Sequence, residues 1–406
     1  MVTYSTPRST LFFSSISLLL TMSIWFSANA IISQLETLWS LTQTDKAILS
    51  SILIIGFVTG GLLFSILNLP DVFKTKNFYV ISALLASSTN LLSGLAPNFT
   101  IVILTRFLTG FFLAGVYPVA MKLTISWFRE NRGLAVGILL GALTVGSGLP
   151  YIFNLTGIPD WRILISLSSI QGFIGALIVF FFVEEGPFIG KKVVFKLSNI
   201  KEILKEKPII YANFGYFGHM WELYAFWVWI PVFLQEVWKN SNGTSDEVGM
   251  VYYFSIGMFL VFFSGSIANV LGGGIADKIG RTKFNILALS ISGTSSILIG
   301  LFINDVVLAL VIAIIWGIAI IPDSPQYSTM ISELSDPSYL GTALTIQTAL
   351  GFALTIFSIQ LVPIMVELVG WTYAFMFLAI GPIFGIISML LLRKEPDSVK
   401  IALGNK

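Results

Sequence analysis

Hydrophobic positions in this chain come in long blocks separated by short polar punctuation. Apolar stretches cover roughly residues 11–32, 47–68, 78–96, 100–127, 133–154, 162–183, 209–233, 248–271, 284–303, 306–328, 340–365 and 371–392. Each is close to the ~20 residues an α-helix needs to cross about 30 Å of hydrocarbon. Backbone polar groups in lipid must be satisfied within the element, so runs this long predict helices, not strands. The pattern predicts an all-α polytopic membrane protein with twelve transmembrane helices. Only one polar connector is long, residues 184–208 with Lys192, Lys201 and Lys205, and it parts six stretches from six. The expected organisation is a six-helix bundle over 1–190, a linker over 191–207, and a second six-helix bundle with a short tail over 208–406.

The two halves also match by offset. Asp71 and Asp277, and Gly94 and Gly300, differ by 206; Gly110 and Gly317, and Pro118 and Pro325, by 207; Gly133 and Gly341 by 208; Trp161 and Trp371 by 210. A nearly constant offset across several spans predicts a duplicated unit with the second copy in parallel topology, as in many secondary transporters.

Composition fixes the solvent. Of 406 residues, 55% are hydrophobic and 11% charged, against about 25% charged in soluble domains, so much of the surface faces a lipid bilayer. A net charge of +2, scattered along the chain, argues against a nucleic-acid partner. The chain has no cysteine and one histidine, which excludes disulfides, thiolate sites and His-rich metal centres. No nucleotide-binding sequence, Gly-x-Ser-x-Gly elbow or His-Glu-x-x-His motif is present. An enzyme is therefore not expected. No cofactor is expected either, and the energy source should be a proton or other ion gradient.

Lysine and arginine set the orientation. A cytoplasmic N-terminus places Arg8, Lys74, Lys76, Arg129, Arg132, Lys278, Arg281, Lys283, the cluster Lys191 to Lys207 and the tail Arg393 to Lys406 inside. Only Lys46, Arg162 and Lys239 fall outside. Both termini are expected in the cytoplasm, in the plasma membrane, with the loop around Glu333 and Asp336 running against the trend. Arg8, the apolar run from Leu11 and Ala28-Asn29-Ala30 imitate a signal peptide. Cleavage would leave an odd number of spans, so the expectation is an uncleaved first span.

The most distinctive polar stretch is Gly273-Gly274-Ile275-Ala276-Asp277-Lys278-Ile279-Gly280-Arg281-Thr282-Lys283, and Asp71 with Lys74 and Lys76 sits in a similar break of the first half. These residues resemble the signature loop of the major facilitator superfamily, Gly-x-x-x-Asp-Arg/Lys-x-Gly-Arg-Arg/Lys. Gly273, Asp277, Lys278, Gly280 and Arg281 fit it, while Lys283 is displaced by one position. The first copy keeps Asp71 but has lost both glycines and the adjacent arginine. Arg106 with Gly110 is similar to the family's span-4 motif. Gly137, Gly141, Gly146, Gly148 and Pro150 resemble its glycine-rich span 5, without the adjacent Gly-Pro of many antiporters. The strings Trp25-Phe26-Ser27-Ala28-Asn29-Ala30, Gly141-Ala142-Leu143-Thr144, His219-Met220-Trp221-Glu222-Leu223 and Asp323-Ser324-Pro325-Gln326 are similar to members near the nitrate/nitrite and cyanate permease branch.

The resemblance implies two six-helix lobes with alternating access and a substrate site at the bilayer midplane between them. It also implies that Asp277 docks near the start of span 5, around Arg132 and Gly133, and that Asp71 faces the start of span 11 near Gly341. An acid at a helix N-terminus contributes roughly 0.3–1 kcal/mol. The plain alternative is that both stretches are basic cytoplasmic turns that only set topology.

Charged groups within apolar spans are the candidate binding residues, because they are costly there unless they face a cavity or a partner. Arg106 could hold an anionic substrate group or pair with Glu222 or Asp323; otherwise it locks helices structurally. Lys122 can snorkel to the cytoplasmic interface or line a cavity. His219 and Glu222, three residues apart, share a helix face, as proton coupling would need; the alternative is a hydrogen-bonded packing pair. Asp323, between Pro322 and Pro325, should sit in a broken helix, lining a cavity or wetted near the cytoplasmic end. Trp25, Asn29, Tyr117, Tyr224 and Gln326 would line the central cavity in the family architecture, although most membrane aromatics are packing or belts. These expectations describe a monomeric secondary transporter that moves a small organic or inorganic anion with protons and binds no nucleotide. Efflux of amphipathic drug-like compounds, or a sensor that binds without transport, are the alternatives.

Overall fold

The computed structural model describes residues 6–67, 69–128, 132–157, 160–188, 203, 205–243, 246–336 and 340–405, with only the backbone of Pro70, Asp71, Arg132, Gly133 and Gly341. Most of the predicted linker 191–207 lies outside these residues, as does Arg129. The chain divides into two compact units, Met1–Lys192 and Val193–Lys406.

Helix supports every apolar stretch predicted above, and no strand occurs among the described residues. The first unit contains α1 (Pro7–Met22), α2 (Ser27–Ala30), α3 (Ile32–Trp39), α4 (Gln43–Ile66), α5 (Leu69–Val72), α6 (Thr75–Gly94), α7 (Phe99–Leu113), α8 (Tyr117–Ile125), α9 (Arg132–Phe153) and α10 (Trp161–Phe182). The second contains α11 (Lys207–Asn242), α12 (Glu247–Ile279), α13 (Arg281–Leu298), α14 (Val306–Ile320), α15 (Ser324–Leu334), α16 (Leu340–Ala374) and α17 (Ile380–Leu392). A 3₁₀ segment, Pro396–Gly404, follows. Among the described residues, eight helices are long and apolar enough to cross a bilayer. A ninth candidate joins Met376–Leu392 to Pro396–Gly404 through a 101° bend.

Local sequence explains the starts. Thr6 and Ser9 form a capping box at α1 with Pro7 in the first turn, and Thr42 with Asp45 forms another at α4. Each box satisfies N–H groups that the first turn leaves without partners. The breaks depart from the simple pattern in two places. The first stretch is not one straight span: a turn over residues 23–26 separates α1 from α2, and the helix resumes as α3 as far as Trp39. The polar stretch 273–283 is mostly helical. α12 runs through Asp277 to Ile279, and only Gly280, at φ 97°, separates it from α13. Glycine accepts that left-handed backbone without a Cβ clash, so the turn needs a single residue.

Each unit has the same internal packing. In the first, α4 lies along α7, α6 along α10 and α7, and α1 against α10 and α9. In the second, α12 lies along α14, α13 along α17 and α14, and α11 against α17 and α16. Gly110 and Gly317, an offset-matched pair, occupy equivalent crossings. A Cβ on Gly110 would overlap the Leu53 carbonyl of α4, and one on Gly317 would stand 2.8 Å from Val261 Cγ1 of α12. Close backbone approach of this kind is how small residues hold membrane helices together.

Candidate functional site

The second unit collects the acids and the histidine predicted from sequence. α11 carries His219 and Glu222 on one face, both buried. Glu222 Oε2 accepts a hydrogen bond from Ser292 Oγ of α13 at 2.8 Å, and its Oε1 accepts one from Trp316 Nε1 of α14 at 2.9 Å. Two donors on one carboxyl offset part of the several kcal/mol that burying such a group costs. Asp323 sits in the break between α14 and α15, where Pro322 and Pro325 remove backbone donors. His219 Nδ1 stands 2.9 Å from Asp323 Oδ1, close enough for an ion pair but off the line of a well-formed ring N–H bond. Tyr216 and Tyr327 close around this pair, their ring centres 6.0 and 5.8 Å from His219. Tyr224 is further along α11, its ring 5.1 Å from both Trp227 and Phe352.

The signature stretch forms a second cluster. Arg281 Nε and Nη2 donate to the Glu333 carboxylate at 3.0–3.2 Å, Nη1 donates to Gln326 Oε1 at 2.8 Å, and Nη2 lies 2.8 Å from Asp277 Oδ1. One guanidinium thereby ties the end of α12, the start of α13 and the length of α15, using the fork geometry that suits arginine for this role. Asp277 is well exposed, so its pair with Arg281 contributes little by itself. Lys278 is exposed, and Gly273 and Gly274 lie inside α12. The tail joins this cluster: Ala402 N–H donates to Glu333 Oε2 at 3.2 Å and Asn405 Nδ2 to the Asp277 carbonyl at 3.0 Å.

In the first unit Arg106 is buried on α7, where it bonds to backbone and amide oxygens of neighbouring segments. Its Nη1 donates to the Ile24 carbonyl at 3.0 Å and Asn90 Oδ1 at 2.9 Å, and its Nη2 to the Trp25 carbonyl at 2.5 Å. The two carbonyls belong to the turn after α1, so the guanidinium caps a helix C-terminus, a favourable place for a cation. Among the described residues of its own unit Arg106 forms no ion pair. Asn90 passes the network on, donating to Ser169 Oγ at 2.9 Å. Trp25 is buried with its ring 5.1 Å from Phe57, and Asn29 Nδ2 donates to Ser50 Oγ at 2.8 Å. Tyr117 opens α8 and Lys122 lies in its last turn. Asp71 belongs to α5, but its surroundings lie outside those described, as do those of Arg132, Gly133 and Gly341, which the resemblance pairs with the two acids.

Structure thus brings His219, Glu222 and Asp323 together, and separately Gln326, Asp277 and Arg281. Sequence reasoning missed Ser292, Trp316, Asn90 and Tyr327, because hydroxyls, amides and aromatics are too common in apolar spans to stand out. Glu333 did carry a signal: it is an acid in a loop against the basic trend. Among the described residues, no cluster of His, Asp and Glu could hold a metal ion.

A sequence model described as Major Facilitator Superfamily matches residues 12–321 and 244–406. The purine ribonucleoside efflux pump NepI of Salmonella paratyphi B is 23% identical over 263 residues, 63% of this chain and 62% of the pump. Solute carrier family 22 member 6 of Rattus norvegicus is 27% identical over 160 residues, 37% of this chain and 28% of that protein. The chain therefore spans less than two thirds of the length of either relative. Among solved structures, the D-xylose-proton symporter superposes with a TM-score of 0.76 at 16% identity, covering 97% of this chain and 99% of the symporter. The nucleoside transporter NupG does so with a TM-score of 0.72 at 13% identity, covering 95% and 100%. At these identities the structural likeness is one of fold.

Proposed function

The chain belongs to the major facilitator superfamily, and from that premise we propose a proton-coupled secondary transporter that works by alternating access and carries a small, uncharged, hydrogen-bonding organic solute. As a family member it is a multi-pass membrane transporter and not an enzyme. The observation that carries the coupling reading is the buried trio Glu222, Asp323 and His219. Groups that can exchange protons, packed at a break in the helices, are what a coupled carrier requires. The solute class is supported by the relatives, whose names include a purine ribonucleoside pump and a xylose–proton symporter. It is supported too by Arg106, whose two terminal nitrogens are engaged by protein acceptors. The nitrate/nitrite and cyanate permease branch suggested by the short strings gains no support from these relatives.

In this reading the transporter is a plasma-membrane monomer with an uncleaved first span and both termini in the cytoplasm. It needs no cofactor beyond the proton gradient. One observation favours a second reading, a small anion: the Arg106 charge has no acidic partner among the described residues of its own unit, and its Nε has no hydrogen bond. Uptake into proteoliposomes separates the two. Purine ribonucleosides, pentoses and small organic anions are offered with and without an inward proton gradient. Accumulation of a nucleoside or pentose that needs the gradient, and is lost in Glu222→Gln and Asp323→Asn, supports the first reading. Gradient-driven accumulation of the anions alone supports the second. Uptake indifferent to pH and to both substitutions refutes the coupling.

A further inference from the structure

One stripe of α13 connects the two clusters of the second unit. Arg281, Asn285 and Ser292 are spaced by four and seven residues, so they fall within about 40° of one another around the helix and span roughly 16 Å along it. That is about half the thickness of the hydrocarbon core. Ser292 donates to Glu222 at one end, and Arg281 holds Gln326 and Glu333 at the other. The middle is occupied by Asn285 and by Tyr327 of α15, one turn beyond Asp323. Both are fully buried. The Asn285 amide reaches the Tyr327 hydroxyl, yet neither side chain has a hydrogen bond of good geometry. His219 Nε2 is in the same condition, and Asp323 Oδ1 has the His219 Nδ1 ion pair but no side-chain bond of good geometry. Buried polar atoms left unsatisfied are rare and call for an explanation such as exchange with water or a switching role.

We propose that this seam is the route by which protons pass between the charged end of the unit and the buried carboxyls, with Tyr327 as the relay and Asn285 as the residue that positions it. The inference rests on the proton-coupling reading above. A hydronium ion entering from water at the Asp277–Glu333 mouth gives up a proton to the lone pair of the Tyr327 hydroxyl and becomes water, and Tyr327 releases its own proton to the Asp323 carboxylate, which becomes the neutral acid. No bond other than O–H is made or broken, and nothing is oxidised or reduced. Asn285 neither gains nor loses a proton; it orients the hydroxyl. The mouth suits the task, because it places two carboxylates, of Asp277 and Glu333, around Arg281. Glu333 is part-exposed and Asp277 largely so, which gives the seam contact with water. The other charged groups facing it are His219 and Glu222 from α11, and Arg393, which donates to Thr282 Oγ1 on α13 at 3.0 Å. Glu222, one turn from His219, receives its proton through the His219–Asp323 pair.

The test is a rapid pH jump on the full-length protein in lipid nanodiscs, with the carboxyl C=O stretching band followed by infrared spectroscopy. Glu222→Gln and Asp323→Asn assign the band. Tyr327→Phe and Asn285→Leu are expected to slow its appearance at least tenfold while leaving its final amplitude unchanged, an effect that loosened packing would not produce. Asn285→Leu carries the test alone if Tyr327→Phe fails to give monodisperse protein. Rates within twofold of wild type in the folded variants overturn the seam while leaving the coupling intact. A wild-type band that never responds to pH overturns the coupling itself, and the seam with it.

Discussion

Replacing Arg106 with methionine tests whether this guanidinium is a structural clamp on the first span. The substitution keeps an unbranched apolar stem and removes the donors to Ile24 O, Trp25 O and Asn90 Oδ1. A hydrogen bond from a charged group is worth ~1.5–3 kcal/mol, and each buried acceptor stranded by its loss costs ~1–3 kcal/mol. Burying the guanidinium is itself costly, and that cost disappears with it. The balance is a destabilisation of about 3–5 kcal/mol, or two to three and a half powers of ten in the unfolding equilibrium at ~1.4 kcal/mol per decade. Arg106→Lys keeps the charge but has no planar fork to bridge two carbonyls and an amide, so it should lose about half as much. Unfolding in mixed micelles with increasing sodium dodecyl sulfate, followed by tryptophan fluorescence, measures both. The clamp would be refuted if Arg106→Met unfolded within about 0.5 kcal/mol of wild type. It would also be refuted if lysine restored full stability, since that would leave charge alone as the requirement.

Other consequences can be measured the same way. Trp316→Phe removes one of the two donors to Glu222 and should cost ~1–3 kcal/mol, whereas Trp227→Phe, away from that acid, should cost less. Gly110→Val and Gly317→Val force apart equivalent helix crossings; each should cost ~1–3 kcal/mol or more and shift the protein into the void on size-exclusion chromatography. The pair Lys46–Glu36, 2.7 Å apart, predicts an asymmetry because Lys46 is 4% exposed and Glu36 42%. Glu36→Gln strands a buried cation and should destabilise clearly, while Lys46→Met only returns Glu36 to water and should change stability by less than about 1 kcal/mol. Equal effects would contradict the burial assigned to the lysine.

The helical architecture was legible because lipid leaves few choices: long apolar blocks must be helices, and the offset-matched Gly110 and Gly317 mark a crossing that recurs in both units. Helix irregularities were less legible. Pro322 and Pro325 announced the break at Asp323, since proline removes donors by its own chemistry. The turn after α1 carries no such residue; it is held by Arg106, eighty residues away, and a span read in isolation cannot show that. The polar run 273–283 looked like a loop, but its side chains are polar because they emerge at the end of α12, while the backbone stays helical up to Gly280. The acids of the second unit stood out because charge is rare in apolar spans. Their partners Ser292 and Trp316 did not, because a serine or tryptophan at those positions is ordinary until a carboxyl is seen against it.

Proton movement itself gives the most direct test of the account. Proteoliposomes containing a pH-sensitive dye in the lumen are supplied with a purine ribonucleoside or a pentose and no imposed gradient. Solute entry or exit through the wild-type protein should shift the internal pH, and Glu222→Gln should abolish that shift while solute still exchanges across the membrane. Solute flux with an unchanged internal pH, or a pH shift that survives in Glu222→Gln, would contradict the role given to the buried carboxyl.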